Sequence, residues 1–188
     1  MVGTTRARII GRVKRLWRST AARRLIHQQD GAAAVEFGLV AAPFLALVFA
    51  ILETSLVFFA GQALETAAAD SARLIMTGQA QAQSLDQAKF KQAVCGKIYG
   101  LFDCNAGIYV DVKSYNSFAN IPTSNPVSNG TLQTADFGYQ PGVAGDIVVV
   151  RLMYQWPVYV SLLGLNLADL KGGKRLLIST VAFRNEPF

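Results

Sequence analysis

The sequence contains a single histidine, His27, among its 188 residues. Histidine-based zinc sites and the Ser-His-Asp or Cys-His groups of hydrolases need a histidine in the folded body, whereas His27 lies in a basic N-terminal segment. The sequence also lacks a phosphate-binding loop, a Rossmann glycine pattern, a paired CxxC and a calcium-loop spacing. These absences exclude most enzyme classes, so we expect no catalytic residues, no enzymatic activity, no cofactor and no metal site.

Charged residues are scarce as well, at 16% of the chain, whereas 52% of the residues are hydrophobic. This balance excludes an intrinsically disordered protein. The charge is also uneven, because residues 1–31 hold eight of the 18 basic residues and one acidic residue, Asp30, which leaves 10 basic and 11 acidic residues in the other 157. The basic excess therefore belongs to a leader, and we expect no nucleic-acid binding by the folded body.

A long apolar run covers residues 37–64, in which Glu53 is the only charged residue. About 20 apolar residues cross the roughly 30 Å hydrocarbon core of a bilayer, so this run predicts a transmembrane helix. Basic residues mark the cytoplasmic end of such helices, which places the leader inside and the rest of the chain outside. We therefore expect a basic cytoplasmic leader at 1–31, a transmembrane helix at 32–64 and an outward domain at 65–188.

A cleaved secretory signal is one alternative, because Ala67 and Ala69 form an A-x-A pattern before Asp70. The apolar run argues against it, since the run is about twice as long as a usual signal core and contains a carboxylate. An uncleaved signal anchor is a second alternative.

The two cysteines, Cys95 and Cys104, both lie in the outward part of the chain. An even pair that is close in sequence and outside the cytoplasm is typical of a disulfide, so the pair predicts a bridge. Two buried thiols are the alternative.

The start of the apolar run has a distinctive order, in which the basic leader ends in Gly31 and four small apolar residues separate it from Glu36 and Phe37. This order resembles the prepilin peptidase site of type IV pilins. Over residues 28–74 the chain resembles the TadE-like minor pseudopilins of the tight-adherence (Tad/Flp) pilus system. The shared features are the Glu-Phe pair, a proline in the first helical turns, a second glutamate late in the span and an alanine-rich exit.

The last residues, 182–188, also resemble the ending of that family, whereas the middle of the chain does not match. The resemblance implies an α+β fold, in which a long N-terminal transmembrane helix continues into a pilin-like periplasmic head with a second helix and a small antiparallel sheet. It further implies a structural subunit of the bacterial inner membrane, cut by a prepilin peptidase between Gly31 and Ala32. The implied partners are a major Flp-type pilin, other minor pseudopilins and the inner-membrane pilus assembly platform, and the implied role is assembly of pili used in adhesion. An uncleaved single-pass protein with a periplasmic binding or scaffold domain is the alternative.

Physical chemistry supports the same processing site. Gly31 has no side chain, so the backbone there can extend into a protease cleft. Cleavage gives Ala32 a new ammonium group, which Glu36 of the same or a neighbouring subunit can neutralise. An ordinary acidic residue near a helix N-terminus, stabilised by the helix dipole, is the alternative interpretation of Glu36.

Two further residues of the span are expected to matter for assembly. Pro43 follows Glu36 by seven residues on the same helix face and removes one backbone hydrogen bond. Glu53 is costly at mid-bilayer, by about 2.5 to 3.5 kcal/mol, so it either reaches water at the outer interface or pairs with another subunit. Small residues recur every four positions and are compatible with close helix packing or with chance, namely Gly38, Ala42, Ala46 and Ala50.

The outward part predicts further helices and strands. We expect the first helix to continue through 62–77 and to stop at Gly78, and a second helix to start at Ser84, which has Gln87 in a capping-box position. Alternation and turn residues predict strands at 108–113, 146–156 and 174–184, with a long loop at 116–145. The loop is either a partner-binding segment or a solvated excursion. We assign five aromatic residues to packing, with a sugar-binding strip as the alternative: Tyr109, Tyr115, Phe118, Phe137 and Tyr139.

Overall fold

The computed structural model describes residues 31–98, 100, 102–104, 107–159 and 166–188. The predicted leader lies outside the described residues, apart from Gly31. The chain divides into two compact units, of which the first ends at Leu47 and the second covers Val48–Phe188. We call the second unit the head.

One continuous helix, α1 (Ala32–Met76), contains 45 residues. It confirms that the apolar run and the predicted extension form a single helix. The helix ends as expected at Gly78, which has a φ of 75° and donates its N–H to the Ile75 carbonyl at 3.0 Å. Glycine adopts this left-handed conformation without strain, which is why it terminates helices so often.

The C-terminal residues of the chain pack against this end of α1. The N–H of Glu186 donates to the Met76 carbonyl at 2.9 Å. The ring of Phe188 occupies the space that a side chain at position 78 would need. Gly78 is therefore required twice, for its backbone conformation and for the approach of Phe188.

Two short helices follow, α2 (Gln79–Ala82) and α3 (Gln87–Cys95). The prediction that α3 starts at Ser84 is wrong. Asp86 is the N-cap, since its backbone is extended and its carboxylate accepts a 2.8 Å hydrogen bond from the Lys89 N–H. An aspartate in this position satisfies one of the free N–H groups of the first turn, so the helix begins after it.

A three-stranded antiparallel sheet forms the other layer of the head. Its strands are β1 (Ile108–Tyr115), β4 (Ile147–Pro157) and β5 (Lys174–Arg184), in the order β1-β4-β5. Asp111 pairs with Arg151, and Arg151 pairs with Thr180. The predicted strands are confirmed within one or two residues at each end, and so is the α+β fold with a long N-terminal helix and a small antiparallel sheet.

The predicted loop 116–145 contains short regular elements. A 3-10 turn covers Phe118–Asn120, and a two-residue hairpin joins β2 (Val127–Ser128) to β3 (Thr131–Leu132). Asn129 and Gly130 form the hairpin turn with φ values of 51° and 70°. Asn-Gly is the preferred sequence for this type of turn, because both positions need positive φ.

The core of the head lies between α1 and one side of the sheet. The buried positions of α1 recur with spacings of three and four residues, which places them on one face of the helix. Most are alanines, whose small size allows a close approach. On the opposite side of the sheet a smaller cluster contains Leu132, Met153, Leu170 and Leu176. The α1 positions that pack in the main core are Val57, Ala60, Leu64, Ala67, Ala68, Ala72 and Ile75.

Cys95 and Cys104 form a disulfide, as predicted, with their Cα atoms 5.7 Å apart. The bridge closes a short loop that begins at the end of α3. Such a loop restricts the unfolded chain and stabilises the native state by about 2 to 3 kcal/mol.

We predict that the double variant Cys95→Ser, Cys104→Ser loses about 2 to 3 kcal/mol of unfolding free energy. Urea denaturation of the purified full chain in detergent measures this loss. The wild-type chain treated with a reductant serves as the control and should match the double variant. Equal stability of the oxidised wild type and the variant would contradict the prediction.

Tyr139 belongs to the packed part of the loop. Its ring lies 5.4 Å from that of Phe90, centroid to centroid. Its hydroxyl is buried and has no hydrogen-bond partner among the described residues. Burial, followed by the negative charge of Asp86, raises the pKa of Tyr139 to about 12, from an ordinary 10.0.

This raised pKa predicts alkaline destabilisation. Between pH 10 and about 12 the unfolded chain has lost the Tyr139 proton while the folded chain keeps it. The unfolded state then binds fewer protons, so stability falls as pH rises through this window, and below it the ionisation of Tyr139 gives stability no pH dependence. The variant Tyr139→Phe should lose less stability there and match or exceed the wild type at neutral pH, since no hydroxyl is buried. Urea titrations on both sides of the window test this, with Tyr115→Phe as the control, and parallel curves for wild type and Tyr139→Phe would contradict it.

Candidate functional site

The first unit presents a bare apolar helix. Residues 32–47 belong to α1, and their large side chains are exposed. Among the described helices, α1 is the one long and apolar enough to cross a membrane, judged by length and composition. This finding indicates a single-pass membrane anchor. The exposed large apolar residues before Ala50 are Val35, Phe37, Leu39, Val40, Phe44, Leu45, Leu47 and Phe49.

The predicted processing residues lie together at the start of this helix. Gly31 immediately precedes α1, and all four residues, Gly31, Ala32, Glu36 and Phe37, are exposed. A Cβ atom built at Gly31 meets nothing within 4 Å. The fold itself therefore does not require glycine at this position.

Glu36 follows Ala32 by four residues, so the two lie about one helical turn apart on the same face. In the described part of the chain, no hydrogen bond or ion pair engages the Glu36 carboxylate. Its charge is therefore free to meet a cationic group near Ala32 or on another molecule. This arrangement is what a newly formed amine at Ala32 needs.

Pro43 lies inside α1 without ending it. Proline has no N–H, so the carbonyl of Leu39 lacks its usual helical donor. A Cβ atom built at the neighbouring Gly38 meets nothing within 4 Å. This stretch of helix is therefore open to a close approach by another helix, since none of the described residues lies near this glycine.

Glu53 occupies a different environment from the one expected. Its side chain is buried, with 6% of its surface exposed, and its Oε1 atom accepts a 3.3 Å hydrogen bond from the backbone N–H of Tyr159. The sequence left two possibilities, water at the outer interface or a partner subunit, and the structure shows a third, the chain's own head. A contact between residues 106 positions apart is invisible to a local sequence pattern. The signal in the sequence that could have indicated this burial is the spacing of three and four residues that Glu53 shares with Ala50, Val57 and Ala60.

The aromatic residues of the outward part do not form one strip. Tyr109 packs edge-on against Phe137 with ring centroids 6.5 Å apart, whereas Tyr139 packs on Phe90. Phe118 is 55% exposed. Packing is thus the main role of Tyr109, Phe137 and Tyr139, as the sequence favoured.

The long loop is anchored to the head at several points. Arg151 donates to the Pro122 carbonyl at 2.8 Å, and the N–H of Gly138 donates to the Asp111 carboxylate at 3.0 Å. Gln81 donates to the Pro141 carbonyl at 3.0 Å. These bonds hold the loop against the sheet and the α2 region.

Comparison with known protein families finds a match over most of α1. The family model described as TadE-like protein matches residues 31–73. The match starts at Gly31 and includes Glu36, Pro43 and Glu53, and it leaves residues 74–188 unmatched. No curated protein and no solved structure matches the chain.

The Glu53 contact generates a prediction for local stability. Glu53→Gln keeps an oxygen acceptor for the Tyr159 N–H, whereas Glu53→Leu removes it. A typical hydrogen bond contributes about 0.5 to 1.5 kcal/mol, so amide exchange at Tyr159 should accelerate about two- to tenfold in Glu53→Leu and little in Glu53→Gln. Hydrogen-exchange mass spectrometry of the full chain in detergent measures this. Unchanged exchange in Glu53→Leu would show that the bond does not hold the segment.

Proposed function

We propose that this chain, whose residues 31–73 match the TadE-like protein family, is a minor pseudopilin of the Tad pilus system. In this role it is a structural subunit that a prepilin peptidase cuts after Gly31 and that supports assembly of Tad/Flp pili in adhesion. The observation that carries the proposal is the exposed group of Gly31, Ala32 and Glu36 at the start of a bare apolar helix.

The exposed position of Gly31 favours processing. A protease needs an accessible backbone, and Gly31 is exposed, precedes α1 and has no neighbour within 4 Å of a built Cβ atom. The described fold does not require glycine at position 31. Recognition of this position by a peptidase would explain why a glycine is there.

Charge pairing then links processing to assembly. Cleavage leaves an ammonium group on Ala32 beside an apolar helix, where an unpaired charge is costly. Glu36, one turn away and without a partner in the described residues, can neutralise it in the same subunit or in a neighbour. Neighbouring subunits would be the major Flp-type pilin and other minor pseudopilins, brought together at the inner-membrane assembly platform.

The bare face of α1 supports helix packing between subunits. Small residues line one side of it, and Pro43 removes a backbone donor without ending the helix. In lipid, small residues at intervals of four allow two helices to approach closely. We propose that Pro43 and the exposed or half-buried small residues Gly38, Ala42 and Ala46 contribute to this contact, whereas Ala50 is already buried in the head.

The disulfide supports the proposed orientation. Bridges such as the one between Cys95 and Cys104 persist in oxidising compartments, including the bacterial periplasm. The basic residues of the leader favour the cytoplasmic side. We propose a single-pass inner-membrane protein with a cytoplasmic N-terminus and a periplasmic head.

Co-expression of the chain with a prepilin peptidase tests the proposal. We predict that the wild type loses the mass of residues 1–31, that Gly31→Leu is not cut because a side chain blocks the cleft, and that Glu36→Ala is cut but supports far fewer pili because the Ala32 amine lacks its partner. Intact mass spectrometry and pilus counts on cells measure these outcomes.

Glu65→Ala is the matched control, because it removes an exposed carboxylate from the same helix. It should be cut and should support normal numbers of pili. An intact wild-type chain in piliated cells would overturn the processing site and favour an uncleaved periplasmic binding or scaffold module. Normal pili in Glu36→Ala would overturn the charge pairing.

A further inference from the structure

The two sides of α1 stop being exposed and apolar at different positions along the helix. On the side of the sheet, the helix is buried from Ala50 onward, and Glu53, Val57 and Ala60 continue this face. We call this the head face. The opposite side, which we call the outer face, stays apolar and exposed over 51–59. It carries Ile51, Leu52, Leu56, Phe58 and Phe59, which are 47% to 71% exposed.

Polar residues begin on the outer face just above this stretch. Gln62, Glu65 and Thr66 are exposed there. Between Phe59 and Gln62 the outer face therefore changes from apolar to polar. A change of this kind marks the end of a membrane-facing surface.

The lengths of the two faces differ in a way that matters for a bilayer. The exposed apolar stretch of the outer face, 37–59, has about 23 residues and rises about 34 Å. This length covers the roughly 30 Å hydrocarbon core with a small tilt. The exposed stretch of the head face, 37–49, has about 13 residues and rises only about 20 Å. Lipid alone therefore cannot cover the head side through the whole core.

The polar side chains between positions 50 and 59 are all satisfied within the chain. The hydroxyl of Ser55 donates to the Ile51 carbonyl at 2.8 Å, and that of Thr54 donates to the Ala50 carbonyl at 2.8 Å. The Glu53 carboxylate points into the head, where the Tyr159 N–H meets it. The outer face thus presents no unpaired polar side chain, which is a requirement for contact with hydrocarbon.

We propose that the head is seated in the outer leaflet of the membrane. Lipid acyl chains cover the outer face of α1 up to Phe59, while protein covers the head face from Ala50. The base of the head, marked by Tyr159, then lies in the lipid headgroup layer. Tyr159 is 79% exposed and lies beside Glu53, and tyrosine favours this layer because it is apolar with a polar tip.

This inference rests on the membrane anchorage within the proposed function and does not depend on peptidase processing or pilus assembly. It revises the expected division of the chain at residue 64, because one face of α1 is already buried from Ala50, inside the apolar run. It also explains how Glu53 is tolerated there, since the head shields its carboxylate from lipid.

Lipid fits the outer face better than water or a second copy of the chain. In water, the five large side chains over 51–59 would form an exposed apolar patch of the kind that soluble domains avoid. The patch is continuous with the exposed apolar residues before Ala50, so a single lipid environment accounts for both. A second copy that covers only this patch would be one outcome of the test below.

A ladder of single cysteine variants tests the proposal along one helix face. Leu45, Leu52, Phe59 and Thr66 follow one another at intervals of seven residues, which brings them close to the same side of α1. Both native cysteines are in the disulfide, so each variant has one free thiol for a fluorescent label. The labelled full chain is reconstituted in phosphatidylcholine vesicles with bromine on the acyl chains, and iodide is added to the water.

Labels at Leu45→Cys, Leu52→Cys and Phe59→Cys should lose fluorescence to the brominated chains and resist iodide, whereas the label at Thr66→Cys should respond only to iodide. Quenching of the Leu52 and Phe59 labels by iodide alone would overturn the proposal. Loss of lipid quenching at these two positions together with disulfide cross-linking between copies would also overturn it, in favour of a dimer.

The head supplies an independent measurement that leaves the helix unchanged. Tyr159→Cys, labelled in the same way, should be quenched by a lipid that carries a spin label on its headgroup. Val143→Cys is the control, since it is 66% exposed and lies three residues before Asp146, at the end of β4 opposite to Tyr159. Equal and weak quenching of both labels would show that the head stands clear of the bilayer. The peptidase assay above is unaffected by either result, so the two proposals fail separately.

Discussion

The structure depends on the packing of the second half of α1 against the sheet. Leu64 and Ile75 are fully buried there among alanines, and burial of such a side chain contributes about 1.5 to 3 kcal/mol. Alanine at the intervening positions stabilises the helix, and these alanines share one buried cluster with valines of β1 and β4. The same helix is thus a core element of the head and, at its other end, an apolar segment whose large side chains are exposed among the described residues. A break in α1 between these parts would separate anchor and head.

Glu53 shows how a charged residue survives in an apolar helix. An isolated carboxylate at that position would be costly in lipid, and the structure instead provides a backbone donor, the Tyr159 N–H, from the segment that follows β4. The contact joins α1 to the segment after Pro157. Composition alone assigns residues 37–64 to lipid, whereas the contacts assign one face of their second half to protein.

The sequence predicts the local features of this protein well. Alternation finds the strands, Gly78 ends the first helix, and the paired cysteines form their bridge. Prediction from sequence fails where two residues could both cap a helix, as with Ser84 and Asp86. Asp86 is the N-cap because its backbone is extended, and the sequence does not show this conformation. Prediction also fails where the partner is distant, as with Glu53 and Tyr159. The sequence also did not predict that burial of α1 begins at Ala50. Alanine suits a lipid-facing helix, a helix pair and a buried sheet contact equally well.

The disulfide carries a consequence for the order of events during biogenesis. Its two cysteines are separated from Gly31 by the whole of α1. In the proposed orientation an oxidised bridge therefore indicates a head that has already crossed the membrane, while the leader junction remains on the reducing side. The redox state of the disulfide and the presence or absence of the leader report two different stages of maturation. Both can be measured on the same population of chains.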